Sequence, residues 1–98
     1  MKVMRENEIE MHLRDEVRAI GGRAYKFTSP GNAGVPDRLV LLPGGKVIFV
    51  ELKAPGKKPT QLQYAQQKKI SSLGFDVFVI DSKQGVDDLI LAYRSERI

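Results

Sequence analysis

The tripeptide Glu51-Leu52-Lys53 closes the most apolar stretch of the chain, Val47-Ile48-Phe49-Val50. In a strand, side chains two apart share a face, so Glu51 and Lys53 project together beside Val47 and Phe49. An acid and an amine on a covered strand are costly unless they are paired or bind an ion. A strand emerging into solvent would account for this pair alone. Asp37, however, opens the preceding predicted strand, directly after the loop Ser29-Pro30-Gly31-Asn32-Ala33-Gly34-Val35-Pro36. Adjacent strands lie roughly 4.8 Å apart, so Asp37 and Glu51 could hold one metal ion between them. Carboxylate oxygens without cysteine or a histidine cluster suit magnesium or manganese better than zinc. Such an ion lowers the pKa of bound water and neutralises charge on a phosphate under attack. Lys53 supplies a compact ammonium that can stabilise the attacking hydroxide or the charge growing at phosphorus.

Other polar residues could join this centre. Glu6 falls on the apolar sector of a predicted first helix, with Glu10 at the edge of that sector, and either could bring a helix-borne acid. Gln63, in the first turn of a second helix, could hydrogen-bond Lys53 or a metal-bound water, although Gln66 lies nearer the middle of that helix's apolar sector. His12 is the chain's single histidine and falls off the apolar face, where it reads as a surface residue. Gly31 and Gly34 do not form a GxGxxG motif, and no GK[ST] follows, so a nucleotide-phosphate loop is excluded.

The elements that must position these groups follow from periodicity. Ile9, Leu13, Val17 and Ile20 recur at helical steps within 5–20, and Gly21-Gly22 ends the run. Strands are predicted over 23–28, 37–42, 46–53 and 76–81. Thr60 caps a helix running to Leu73 with Gly74 as its stop, and Gly85 precedes a last amphipathic stretch through Tyr93, after which the final five residues fray. The order is helix, three strands, helix, strand, helix, which predicts a mixed sheet flanked by helices. The hairpin at Pro43-Gly44-Gly45 fixes whether the two acids meet. A two-residue Gly44-Gly45 turn would set Asp37 opposite Leu52, facing away from Glu51; a loop one residue longer or shorter, or a bulge, reverses the face. An odd loop or a bulge is therefore predicted.

The chain's 98 residues suit one domain spanning 1–98. Its 42% hydrophobic and 29% charged residues are ordinary for a soluble globular protein. With no cysteine there is no disulfide framework and no thiolate metal site. The first residues lack a signal peptide's apolar run, and no stretch could span a membrane, so a cytoplasmic location is expected. A net charge of +4 and a pI near 9.5 favour polyanionic partners. The basic loop Lys57-Lys58 follows the Glu51–Lys53 strand; with Arg38 and Lys68 or Lys69 it is the expected phosphate-contacting surface.

Glu6, Ser29-Pro30-Gly31 through Gly34-Val35-Pro36-Asp37-Arg38, Phe49-Val50-Glu51-Leu52-Lys53 and Leu62-Gln63 together resemble the VRR-NUC family of the PD-(D/E)xK nuclease superfamily. The likeness continues through Leu73-Gly74-Phe75-Asp76-Val77 and so covers nearly the whole chain. The resemblance implies a restriction-endonuclease-like α/β fold with an αβββαβ core. It implies Asp37, Glu51 and the Leu52 backbone carbonyl as ligands of Mg2+ or Mn2+, Lys53 as the catalytic lysine, Glu6 as the helix-borne acid acting directly or through water, and Gln63 rather than Gln66 as the supporting amide. It further implies a stand-alone viral or bacterial enzyme, working in a bacterial or virus-infected cell, that acts as a homodimer on four-way DNA junctions. An apolar patch on the last helix (Leu89, Ile90, Tyr93) or on the first is the expected dimer contact. Two alternatives stand beside this reading: a monomeric flap or fork endonuclease, and a non-catalytic DNA-binding module on a nuclease fold.

Overall fold

The computed structural model describes residues 5–98. Its elements are α1 (Glu6–Ala19), β1 (Arg23–Lys26), β2 (Arg38–Leu42), β3 (Lys46–Leu52), α2 (Gln61–Ser72), β4 (Asp76–Ile80) and α3 (Lys83–Arg94). The strands form one sheet in the order β1-β2-β3-β4, antiparallel from β1 to β3 and parallel between β3 and β4. The parallel pair needs a crossover, and α2 supplies it. The expected mixed αβββαβ sheet is therefore present, with α3 added at the end.

One sheet face carries the core. Val40 and Leu42 of β2, Ile48, Val50 and Leu52 of β3 and Ile80 of β4 bury against Ile9, Leu13 and Val17 of α1 and Val86, Leu89 and Ile90 of α3. Even-numbered residues of β2 and β3 thus point to α1 and α3, as the period of two requires. Odd-numbered residues form the other face, where Phe27, Phe49 and Phe75 make edge-to-face contacts at 5.7 and 6.0 Å. This face is thinly covered, since α2 has no buried residue.

Several expectations need correction. Leu89 and Ile90 are buried in the core, and Tyr93 packs against it while its hydroxyl donates to the Pro43 carbonyl at 2.8 Å. Ile9, Leu13 and Val17 of the first helix are likewise consumed internally. The three residues named for a dimer contact on the last helix are therefore turned inward, and the large apolar side chains these two helices expose are Met11 and Leu91. The last helix starts earlier than Gly85, because Ser82 caps it by accepting from the Gly85 amide at 2.9 Å. Ile98 packs against the core, so the chain end is tied down. β1 stops at Lys26, yet the Phe27 amide still donates to the Asp37 carbonyl at 2.8 Å.

Candidate active site

The β2–β3 hairpin turns through three residues, Pro43-Gly44-Gly45, with Leu42 opposite Lys46 and Arg38 opposite Val50. Gly44 and Gly45 hold φ of 86° and 79°, the left-handed region glycine enters without a steric penalty. One further step along this ladder sets Asp37 opposite Glu51, on the same face. The predicted odd loop is present, and it gives the two acids a common side.

Asp37 is fixed by its own strand partner: its Oδ1 accepts from the Leu52 amide at 3.1 Å. In an extended strand the N–H and C=O of one residue point toward the same neighbour, so the Leu52 carbonyl also faces β2. Glu51 is 3% exposed and is the buried charged residue among the described residues. Its Oε2 lies 3.7 Å from the Lys53 ammonium and accepts from the Gln63 amide at 3.4 Å. Its Oε1 is buried with no hydrogen-bond partner. Burial and then the facing Asp37 push Glu51 up to about 7, against the pull of Lys53, and the Glu6 carboxylate adds to the rise. Burial also raises Asp37, opposed chiefly by the Leu52 hydrogen bond.

Gln63 reaches Glu51 because the loop and the helix start lock together. Thr60 caps α2 by accepting from the Gln63 amide N–H at 3.2 Å, and the Gln63 side-chain oxygen accepts from the Thr60 N–H at 2.9 Å. This reciprocal pair orients the Gln63 side chain. Gly34 presses on the same helix turn: a Cβ there would meet the Leu62 Cγ and carbonyl oxygen at 2.9 Å, and its φ is +89°. Gln66, the alternative amide, instead donates to the Ala33 carbonyl at 3.2 Å and ties the loop to α2.

Asp37, Glu51, Lys53 and Gln63 thus gather around one strand end. Glu6 is exposed in the first turn of α1 rather than on its buried face, but it is near enough to Glu51 to act electrostatically. Glu10 is drawn away by ion pairs with Arg14 at 3.5 Å and Arg38 at 3.7 Å. Lys57, Lys58, Lys68 and Lys69 are exposed, whereas the Arg38 side chain is only 14% exposed and anchored to Glu10. His12 is no lone surface group: its Nε2 lies 2.7 Å from Asp87 Oδ1 on the α1–α3 seam, with Glu16 beside them.

The donor set of this strand end fits a hard divalent cation. Two carboxylates lie close together, each raised in pKa by burial, and one oxygen of Glu51 has no protein donor to satisfy it. A buried acceptor left without a partner is uncommon, and a cation removes both the orphan and the like-charge repulsion. Asp37, Glu51 and the Leu52 carbonyl are the groups that would hold it.

Comparisons with known proteins find similar chains. The chain is 59% identical over 83 residues to p44 of Acyrthosiphon pisum secondary endosymbiont phage 1, which carries the name of a candidate nuclease; the match covers 85% of this chain and 89% of that protein. Among solved structures, one described as a VRR_NUC domain superposes with a TM-score of 0.84 at 35% identity, covering 90% of this chain and 96% of the other. No protein-family model matches the chain.

Proposed function

Because this chain belongs to the VRR-NUC family of nucleases, we propose that it is a divalent-metal-dependent DNA endonuclease whose active centre is Asp37, Glu51 and Lys53. The observation that carries this reading is Glu51 itself, a buried carboxylate with an unpartnered oxygen, opposite a second acid and beside a lysine.

A magnesium or manganese ion held by Asp37, Glu51 and the Leu52 carbonyl would supply Lewis-acid activation of water and of the phosphate. The chain's own groups do the rest. Lys53 sets its ammonium where charge grows on the phosphate as water adds to phosphorus and the ester P–O bond breaks. Gln63 holds the Glu51 carboxylate in its orientation. Glu6 contributes a further negative group at the mouth, able to accept a proton from water. Lys57 and Lys58, exposed on the loop after β3, are the proposed contacts to backbone phosphates, together with the exposed Lys68 and Lys69 of α2.

The substrate is DNA, and four-way junctions are the proposed class. Resolving one needs two cuts on strands related by a two-fold axis, which a homodimer matches in symmetry. With Leu89, Ile90 and Tyr93 turned into the core, the dimer contact is proposed on α2, the edge strand β4 and the residues that join them. There Leu62, Tyr64, Leu73, Phe75 and Val79 expose between 42% and 76%. The test is cleavage of labelled duplex, flap, fork and four-way junction with and without magnesium. Metal-dependent cutting with a preference for the junction supports the whole reading. Flap cutting alone leaves the nuclease and removes the resolvase. No cutting of any DNA rejects the enzyme.

A further inference from the structure

The seam between α1 and β1 carries a concentration of charge that the catalytic centre does not use. A cleft of about 420 Å³ is lined by Glu10, Arg14, Ala24, Tyr25, Lys26 and Arg38. A second, of about 200 Å³, is lined by Arg14, Arg18, Gly22, Arg23, Ala24 and Tyr25. They share Arg14, Ala24 and Tyr25 and so form one trough. Arg14, Arg18, Arg23, Lys26 and Arg38 face it, against Glu10 alone.

Glu10 does not neutralise this set. It is shared between Arg14 and Arg38, and Arg18, Arg23 and Lys26 have no carboxylate partner among the described residues. Arg38 is mostly buried, and its Nε is left without a partner. The opposite flank of α1 is richer in acids, with Glu8, Asp15 and Glu16 near Asp87 and with His12 and Lys83 among them. The helix therefore divides the surface into a cationic and an anionic side. Protection of an edge strand against pairing explains charges on β1 itself. It does not explain why they continue on α1 or converge on a half-buried guanidinium.

The trough ends at Arg38, the residue next to the proposed ligand Asp37. Arg38 follows Asp37 in sequence, and Lys26 stands opposite Arg38 in the β1–β2 ladder. Tyr25 is 53% exposed along it. A row of cations beside an exposed aromatic ring tracks a nucleic-acid backbone and offers a stacking face.

Building on the nuclease reading above, we propose that the α1–β1 trough is a binding site for the phosphodiester backbone of the DNA substrate, guiding it to the active centre from the side opposite Lys57-Lys58. Arg14 and Arg18 are the principal phosphate-binding groups, Arg38 closes the inner end, and Glu10 tempers the affinity.

The test is anisotropy of a fluorescein-labelled four-way junction and a plain duplex across a potassium chloride series, without divalent metal. The proteins are the full chain, the double variant Arg14→Gln/Arg18→Gln, Glu10→Gln, and Lys57→Gln/Lys58→Gln. Arg14 and Arg18 are exposed, and unchanged melting by circular dichroism shows that the fold is kept. The arginine variant should bind on the order of tenfold more weakly, its log–log salt slope reduced by about 0.9 for each phosphate no longer neutralised. Glu10→Gln should bind more tightly than the unaltered chain. Unaltered affinity and slope in the arginine variant, while the unaltered chain binds and cuts DNA, overturn the trough and leave the nuclease standing. A chain that neither binds nor cuts any DNA overturns both.

Discussion

Asp37 lies one step past the last β2–β3 pair, Arg38 with Val50, in the register that faces it to Glu51, and the three-residue turn at Pro43-Gly44-Gly45 sets that register. Burial raises both carboxylates in pKa, and the charge of Asp37 raises Glu51 further. A fold that keeps such a pair has a use for their concentrated negative charge. The proposed use is to hold a divalent cation.

The pair should leave a pH signature in the metal-free protein. Glu51 is pushed from 4.5 up to about 7, so the folded chain binds that proton more tightly than the unfolded chain. A raised folded value means that its contribution to stability is fully present below the unfolded pKa and disappears as pH rises through the folded one. Chelated protein should therefore lose on the order of 3 kcal/mol between about pH 4.5 and 7. Urea melts across that range measure it, and Glu51→Gln should flatten the dependence. An unaltered pH slope in Glu51→Gln would assign the titration elsewhere.

Gly34→Ala should damage both stability and catalysis. The positive φ alone costs about 1–3 kcal/mol for a side chain, and the new Cβ would press on the Leu62 backbone. The helix start that carries Gln63 must then shift away from Glu51. Thermal melts should show the loss, and cleavage by the surviving folded fraction should fall further than melting explains. Full activity per folded molecule would show that the hydrogen bond from Gln63 to Glu51 is dispensable.

Much of this site is legible in the sequence because its signals are local. Glu51 and Lys53 interrupt an apolar strand, the turn length sets the register, and Thr60 announces the helix that carries Gln63. What is not legible depends on which face a distant element covers. Periodicity shows that Leu89, Ile90 and Tyr93 are an apolar stripe, but not that this stripe is turned into the core shared with α1. Glu6 looks inward by wheel position, yet it sits in the first turn of α1 and its side chain stays exposed. Arg14, Arg18 and Arg23 stand far from the catalytic motif in sequence. They meet Arg38 only because β1 pairs with β2 alongside α1.

Assembly tests the junction reading. Sedimentation at micromolar concentration should find a homodimer, and Leu73→Lys, at a side chain 76% exposed, should split it without lowering the melting temperature of the monomer. Dimers mixed from active and Lys53→Ala subunits should nick a junction without resolving it. A monomer that cuts flaps and ignores junctions would end the resolvase reading.

Manganese titration by calorimetry, run beside cleavage on the unaltered chain, Asp37→Asn, Glu51→Gln and Lys53→Ala, reaches the centre of this account. All three variants should fail to cut DNA, for separable reasons. The two acid variants should lose metal binding, because each removes a ligand charge. Lys53→Ala should retain it, since an ammonium donates and cannot ligate. Normal manganese affinity in both Asp37→Asn and Glu51→Gln would contradict the assignment of the site.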